Sequence, residues 1–267
     1  MCARAYDLTK VNRRGLVERM MGPLDPFART TMIQPARSHV ACAACALRKF
    51  CFSSVGTDTA PATHVPLVQR RRLRPGEKLF TKGTPLNSLY AVRAGFLKTC
   101  ALMPNGDQRI LGFHIMGDVL GLDAIASGTH PTEAVALNGC EVCEIPTDRA
   151  ERLMNGRASI ATHFRQLLSE QIAEAGDRIV ALGAMSARQR VAGFLLDLAE
   201  RWASRGYSPN EFDLCLTRKE IGSYLGLTFE TVSRTLSFFD AQEWIAIDGR
   251  HVRIRNHEAL RNALLEA

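Results

Sequence analysis

Three cysteines fall within ten residues of one another, as Cys42-x2-Cys45-x5-Cys51. Thiolates are soft ligands, and three on so short a loop can wrap a single metal centre. A [4Fe–4S] core takes four cysteine ligands, so a fourth must come from elsewhere. Cys2, Cys100, Cys140, Cys143 and Cys215 are all available. His39 upstream of the trio offers a different chemistry, a zinc site of three cysteines and one histidine. Three unrelated structural thiols are a weaker account, because unpaired cysteines favour apolar cores over polar loops. The C-x2-C-x2-C run of bacterial ferredoxins is not present.

A second constellation points to a different partner. Glu230, Ser233, Arg234 and Ser237 stand at i, i+3, i+4 and i+7, which gathers them on one helical face. Arg can grip guanine O6 and N7 with two bonds, Glu can accept from cytosine N4, and Ser serves either. A solvated polar stripe would need nothing in front of it, yet a second helix precedes this one. Thr217-Arg218-Lys219-Glu220 fits a capping box, Ile221 and Leu225 point inward, and Gly226 ends the helix. Thr228 then caps the next helix, which buries Val232, Leu236 and Phe239. Two short helices joined by a glycine turn are the helix-turn-helix pattern, whose second helix enters the DNA major groove. Downstream, Trp244 to Ile247, the Asp248-Gly249 turn and Val252 to Ile254 read as a hairpin. His251, Arg253 and Arg255 alternate onto one face, where they can meet phosphates, contacts that position a protein but read no sequence.

The rest of the chain must hold these residues in place. Its 267 residues suit two domains better than one, and 46% hydrophobic with 23% charged residues is ordinary for a globular protein. No run reaches the roughly 18 apolar residues that cross a bilayer, and charges interrupt the first 32 residues, so neither a membrane span nor a signal peptide is expected. The expected location is the cytoplasm, where thiols stay reduced and disulfides are rare. The net charge of +7 is concentrated at residues 1–75, with 13 Lys+Arg against 4 Asp+Glu, while residues 186–267 balance 11 against 11. Charge therefore does not argue for the DNA reading. No nucleophile–base set or phosphate-cradling glycine loop suggests an enzyme.

Residues 1–60 show no sustained period and are read as an arm carrying the cysteine loop. Residues 61–155 hold short β-type runs punctuated by glycines at 76, 83, 95, 106 and 117, as in an antiparallel barrel or jelly roll. Residues 156–186 form a helix in which Leu168, Ile172, Ala175, Ile179 and Leu182 step by 4, 3, 4 and 3, the seam of a two-stranded coiled coil and hence of a homodimer. Residues 187–267 hold a helix from Ala187 to Ala203 and the DNA-reading unit. The fold class is α+β: an N-terminal β-roll of cupin-like jelly-roll type, a long dimerisation helix and a C-terminal winged helix-turn-helix.

The segment from Leu216 to Arg234, preceded by such a roll and helix, resembles the winged helix of the Crp–Fnr superfamily of bacterial regulators, and the likeness runs from about residue 38 to 260. It implies that Glu230, Ser233 and Arg234 read a TTGAT-type half-site, and that a two-fold dimer reads the palindrome TTGAT-N4-ATCAA. It also implies a surface that contacts RNA polymerase, for which the loop at Asn105-Gly106-Asp107 is a candidate. Nucleotide sensors of this fold hold a phosphate with an Arg-Ser pair. Here the stretch from Gly117 to Ala134 contains no arginine and has His130-Pro131 instead, so no cyclic nucleotide is expected.

The cysteine spacing resembles the oxygen-sensing fumarate and nitrate reduction branch, and Cys143, within Val142-Cys143-Glu144-Ile145-Pro146, matches that branch's fourth ligand. The resemblance thus implies a [4Fe–4S] cluster on Cys42, Cys45, Cys51 and Cys143, with Arg48 and Lys49 offsetting its charge. Cys140, three residues away on the same strand, should face the other side; Cys100 and Cys215 read as small buried hydrophobes. The cluster would act as a clasp between the arm and the roll, released by oxygen, with dimerisation as the output. Ala175 departs from the pattern, because sensors of this branch place a charge there that opposes dimerisation. An apolar residue at this point is expected to weaken the switch. The rival expectation is a regulator of the same type whose sensor domain is zinc-stabilised or cluster-free and does not answer to oxygen.

Overall fold

The computed structural model describes residues 69–265. The expectations placed on Cys42, Cys45, Cys51, His39 and the remainder of the arm fall outside them.

The β-type runs fold into two four-stranded antiparallel sheets. One has the order β1-β8-β3-β6, from β1 (Gln69–Leu73), β8 (Cys140–Pro146), β3 (Ser88–Ala94) and β6 (Val119–Leu120). The other has β2 (Lys78–Phe80), β7 (Glu133–Ala136), β4 (Leu97–Leu102) and β5 (Gln108–His114), in the order β2-β7-β4-β5. Alternate residues of both sheets meet in a core of Leu73, Phe80, Val92, Leu97, Leu120 and Val142, among others. The five punctuating glycines all have positive φ, which is why glycine stands at each of these turns.

Helix α1 (Thr147–Gly156) and the start of α2 (Ala158–Ala184) cover the outer face of the first sheet, where Leu89, Ala91, Val119, Ile145, Ala150 and Ile160 are buried together. A third cluster joins Cys100, Ile110 and Phe113 of the second sheet to the core of the C-terminal part. That part comprises α3 (Ala187–Ser204), β9 (Glu211–Asp213), α4 (Arg218–Leu225), α5 (Phe229–Ala241), β10 (Ile245–Asp248), β11 (His251–Ile254) and α6 (His257–Leu265). Val191, Leu195, Ile221, Val232, Leu236, Phe239, Ile245 and Leu260 form its buried centre.

The β-roll, the long helix and the winged helix-turn-helix thus appear in the expected order. Several elements escaped the sequence reading, among them α6 and three strands. β1 is the charged run Gln-Arg-Arg-Arg-Leu, an edge strand whose arginines meet Glu141 and Glu144 of β8. β6 is only two residues long. β9 pairs with β11, so the expected hairpin is part of a three-stranded sheet in which β11 is the middle strand.

Candidate nucleic-acid interface and metal centre

The reading head is built by its caps. Thr217 and Glu220 close the capping box at α4, with the Thr217 hydroxyl accepting from the Glu220 N–H at 3.2 Å and the Glu220 carboxylate accepting from the Thr217 N–H at 2.8 Å. Helix α4 ends at Gly226, whose φ of 65° is left-handed. The turn is tight enough that a Cβ on Gly222 would lie 2.6 Å from the Leu227 carbonyl oxygen, so only glycine fits there. Thr228 then caps α5 by accepting from the Thr231 N–H at 3.2 Å.

Helix α5 buries Val232, Thr235, Leu236 and Phe239. Glu230, Arg234 and Ser237 point to solvent, with Ser233 half-buried beside them. The backbone N–H of the first turn and the Thr228 hydroxyl hold the Glu230 carboxyl below the usual range, so it is an ionised acceptor at neutral pH. The face can therefore offer one acceptor, one forked donor and two hydroxyls to base edges.

The wing differs from its sequence picture in one respect. β10 and β11 pair from Ile245↔Ile254 to Asp248↔His251, as the hairpin required. β9, however, brings two carboxylates alongside. Arg253 Nη2 donates to Glu211 at 2.8 Å, and His251 lies 2.8 Å from Glu211 and 2.9 Å from Asp213. These partners raise the His251 pKa. Arg253 is thus exposed but ion-paired, whereas Arg255 projects beyond the ladder.

The long helix α2 leaves its apolar stripe largely uncovered. Ile172 is 74% exposed, Ile179 is 72% exposed, and Ala175 and Leu182 are exposed with them. Leu168, the first residue of the stripe, is turned partly inward and packs against the cluster between α2 and the first sheet.

Cys143 packs against the same cluster. It sits in the middle of β8, half-buried on the outer face of the sheet, opposite Arg70 of β1 and Ala91 of β3. Cys140 faces the other way, into the roll, where its thiol donates to the Phe96 carbonyl at 3.0 Å. Burial pushes the Cys100 and Cys140 thiols up, and it pushes Cys215 up to about 11. Cys100 is fully buried, while Cys215 is half-buried and accepts from Asn138 at 3.7 Å. Beside Cys143, the Arg70 Nε is buried without a hydrogen-bond partner; Glu141 lies 3.4 Å away but out of line.

Sequence reasoning missed the contacts that join the two halves. Asp118 receives Arg201 of α3 and Arg205 just past its end at 2.5 Å, and Arg205 also reaches the Met116 carbonyl. Lys98 of β4 meets Glu220 of α4 at 2.7 Å, and Ser223 accepts from the Ile110 N–H at 3.2 Å. Arg190 of α3 donates to Met185 and Leu182 at the end of α2, and to Leu225 at the end of α4, at 2.9 to 3.0 Å. One guanidinium therefore caps the C-termini of two helices, where carbonyls and dipole both favour a cation. Only the Glu220 contact had any sequence signal, and that signal was absorbed by the capping box. Apart from those of Arg190, these pairs are about 80 to 120 residues apart and leave no local pattern.

Residues 189–263 match the Crp-like helix-turn-helix domain, and residues 70–157 match the cyclic nucleotide-binding domain. The chain is 37% identical over 229 residues to the fumarate and nitrate reduction regulatory protein of Escherichia coli, covering 85% of this chain and 92% of that one. It is 36% identical, over the same shares, to the protein of that name from Yersinia pestis. Among solved structures it is similar to FixK2 from Bradyrhizobium japonicum, with 29% identity, a TM-score of 0.69, and cover of 75% of this chain and 98% of that one. A CRP/FNR-family transcriptional regulator from Thermus thermophilus shares the fold at 20% identity and a TM-score of 0.58, over 74% of this chain and 98% of that one. On the identity and coverage of these relatives, the chain belongs to the Crp–Fnr family of transcriptional regulators.

Proposed function

We propose that this protein is an oxygen-responsive regulator of anaerobic or microaerobic gene expression. It binds a palindromic TTGAT-N4-ATCAA-like site as a homodimer and carries a [4Fe–4S] cluster on Cys42, Cys45, Cys51 and Cys143. The observation that carries the DNA part is the α5 face, with Glu230, Arg234 and Ser237 in solvent beside the capped N-terminus that a groove admits. Arg234 reads guanine, Glu230 accepts from cytosine, and Thr228, Ser233 and Ser237 complete the contacts. Arg253 contacts phosphate only on exchanging Glu211, so it positions rather than reads.

The uncovered stripe of α2 supports the dimer, because a second copy is the surface that would bury Ile172, Ala175, Ile179 and Leu182. In this reading residues 1–60 supply three ligands, 61–155 the roll and fourth ligand, 156–186 the dimer helix and 187–267 the reading head. RNA polymerase is a partner, through the exposed loop at Asn105 to Asp107.

The residues near Cys143 fit an anionic group. Cys143 lies on the outer face opposite Arg70, whose buried Nε lacks a hydrogen-bond partner although the Glu141 carboxylate is 3.4 Å from it. Cys100 and Cys140 are buried in the core, and burial raises the thiol pKa of both and of Cys215, which suits ligation less. When bound, a [4Fe–4S] cluster supplies an oxygen-labile junction between four thiolates. Cys143 and Leu168 share a cluster, so a change in how Cys143 is held reaches the first residue of the α2 stripe. A cyclic nucleotide is not the input: His130 is buried and stacked on Phe80 at 3.8 Å, and the stretch 117–134 offers no arginine.

Purification under nitrogen tests this. A brown protein whose broad absorbance bleaches in air, together with loss of operator binding, is expected. A colourless protein holding stoichiometric zinc, with the same operator affinity in air, supports instead a regulator whose sensor is zinc-stabilised.

A further inference from the structure

We propose that Glu211 on β9 is an internal competitor for the DNA phosphate at the wing, and so sets how firmly the wing holds the backbone. The proposal rests on the DNA reading of the winged helix given above. Strand alternation divides the residues of β9 and β11 between two faces. Phe212, Val252 and Ile254 are buried in the core, while Glu211, Asp213, His251 and Arg253 stand on the other face. There Glu211 lies directly opposite Arg253, and Asp213 directly opposite His251. The Glu211 carboxylate accepts from Arg253 at 2.8 Å and lies 2.8 Å from His251 Nε2, and Asp213 lies 2.9 Å from His251 Nδ1. A guanidinium takes carboxylate and phosphate oxygens in the same way, through its forked N–H groups. β9 therefore sets phosphate-like charge on the wing's own cations before any DNA arrives.

The arrangement is exchangeable. The side chains of Glu211, His251 and Arg253 are 41%, 42% and 56% exposed, and an ion pair in that much water is weak enough for a phosphate to displace. His251 is the pivot. A neutral imidazole carries one N–H, yet both ring nitrogens face a carboxylate at hydrogen-bond distance, so the geometry suits the doubly protonated ring. The same two partners raise its pKa. With His251 protonated, two carboxylates balance two cations. With it neutral, the cluster turns a net negative charge toward a polyanion. The charged groups next to it are Asp248, its register partner on β10, Arg250 in the turn and Arg255 just past β11. These add one positive charge whether or not His251 is protonated, so they do not alter the change.

The full-length protein, purified under nitrogen, is titrated by fluorescence anisotropy against a TTGAT-N4-ATCAA duplex and a random duplex of equal length, from about 50 to 200 mM salt. Glu211→Gln should bind both duplexes about threefold more tightly per wing, because a phosphate contact reads no sequence, and its log–log salt slope should steepen by about one per wing. Glu211→Asp, which keeps the charge, should stay near the wild type. Arg253→Gln should change little in the wild type yet cancel the gain of Glu211→Gln, a coupling that a merely structural role for Glu211 would not give. Wild-type binding should weaken as pH rises through the raised pKa of His251, and His251→Gln should flatten that dependence. Unchanged affinity and slope in Glu211→Gln overturn the proposal. So does a gain confined to the palindrome, which would make Glu211 a base-reading residue. Should Glu211→Gln melt early, Arg253→Gln in the wild type decides alone, and a large loss there overturns the proposal. A wild type that prefers no palindrome over random duplex removes the reading of α5, while the salt slopes on random duplex still test the wing.

Discussion

Helices α2 and α3 follow one another in the chain, separated only by Met185 and Ser186, and they treat their apolar residues in opposite ways. α3 is 18 residues long and buries Val191, Ala192, Phe194, Leu195, Leu198 and Ala199. α2 is 27 residues long and fully buries Ile160 alone, leaving Ile172 and Ile179 in solvent. The apolar stripe of α3 is wide and finds its complement within the chain. The stripe of α2 is a narrow seam at 3.5-residue spacing, the pattern that packs on an identical helix rather than on a globular core. Adjacent helices can thus carry stability and assembly separately, with Arg190 tying the end of one to the start of the other.

Four measurements break or sharpen that contrast. The largest effect is expected from Ile172→Glu with Ile179→Glu. The double variant should sediment as a monomer and lose on the order of 100-fold or more in affinity for a palindrome. Its unfolding free energy, measured in the monomeric form, should change by no more than about 0.5 kcal/mol per site. Leu195→Ala should show the reverse, about 2–5 kcal/mol of stability lost in denaturant unfolding, because Leu195 is fully buried. The self-association constant of the remaining folded protein should be unchanged. Loss of dimerisation in the α3 variant, or of folding in the α2 variant, would erase the distinction.

Arg190→Met removes three hydrogen bonds to helix-terminal carbonyls while keeping most of the aliphatic bulk. It should weaken operator binding roughly tenfold, at about 0.5–1.5 kcal/mol per bond with partial replacement by water, yet leave the dimer intact by sedimentation. A further effect concerns pH. His114 lines a cavity of about 610 Å³ between the roll, α2 and α3, and burial lowers its pKa to about 4. The folded state holds this ring neutral, so the unfolded state binds the extra proton first. Its contribution is complete above the unfolded value near 6.5 and is lost as pH falls toward 4. The melting temperature should decline over that window less steeply in His114→Gln than in the wild type. A steeper or equal decline would contradict this account of the ring.

Local pattern carried the parts of the molecule whose determinants are close in sequence. The capping box at Thr217 and Glu220, the Thr228 cap, the glycine turn at 226 and the 3.6-residue stripes of α4 and α5 each lie within about a dozen residues, and the structure places them as read. The β-roll was legible from its turns, but β1 was not, since three arginines in succession look like a solvated run until Glu141 and Glu144 are seen opposite them. The wing showed the same limit. Arg253 and His251 read as free cations because their acidic partners sit on β9, about 40 residues earlier. Cys143 was singled out only by resemblance. Its place on the outer face agrees with strand alternation from Cys140, which spacing alone did give.

The central claim is that the α2 seam converts the state of the thiolate ligands into DNA binding. Anaerobic sedimentation velocity with a labelled palindromic duplex, repeated on the same sample after air, tests it most directly. The account predicts a dimer–DNA complex under nitrogen and, after air, a shift toward free duplex and monomer. Because Ala175 lies in the seam without a charge, that shift should be smaller than in a variant carrying Ala175→Asp. Identical profiles before and after air in both proteins, with iron and sulfide lost on oxidation, would contradict it.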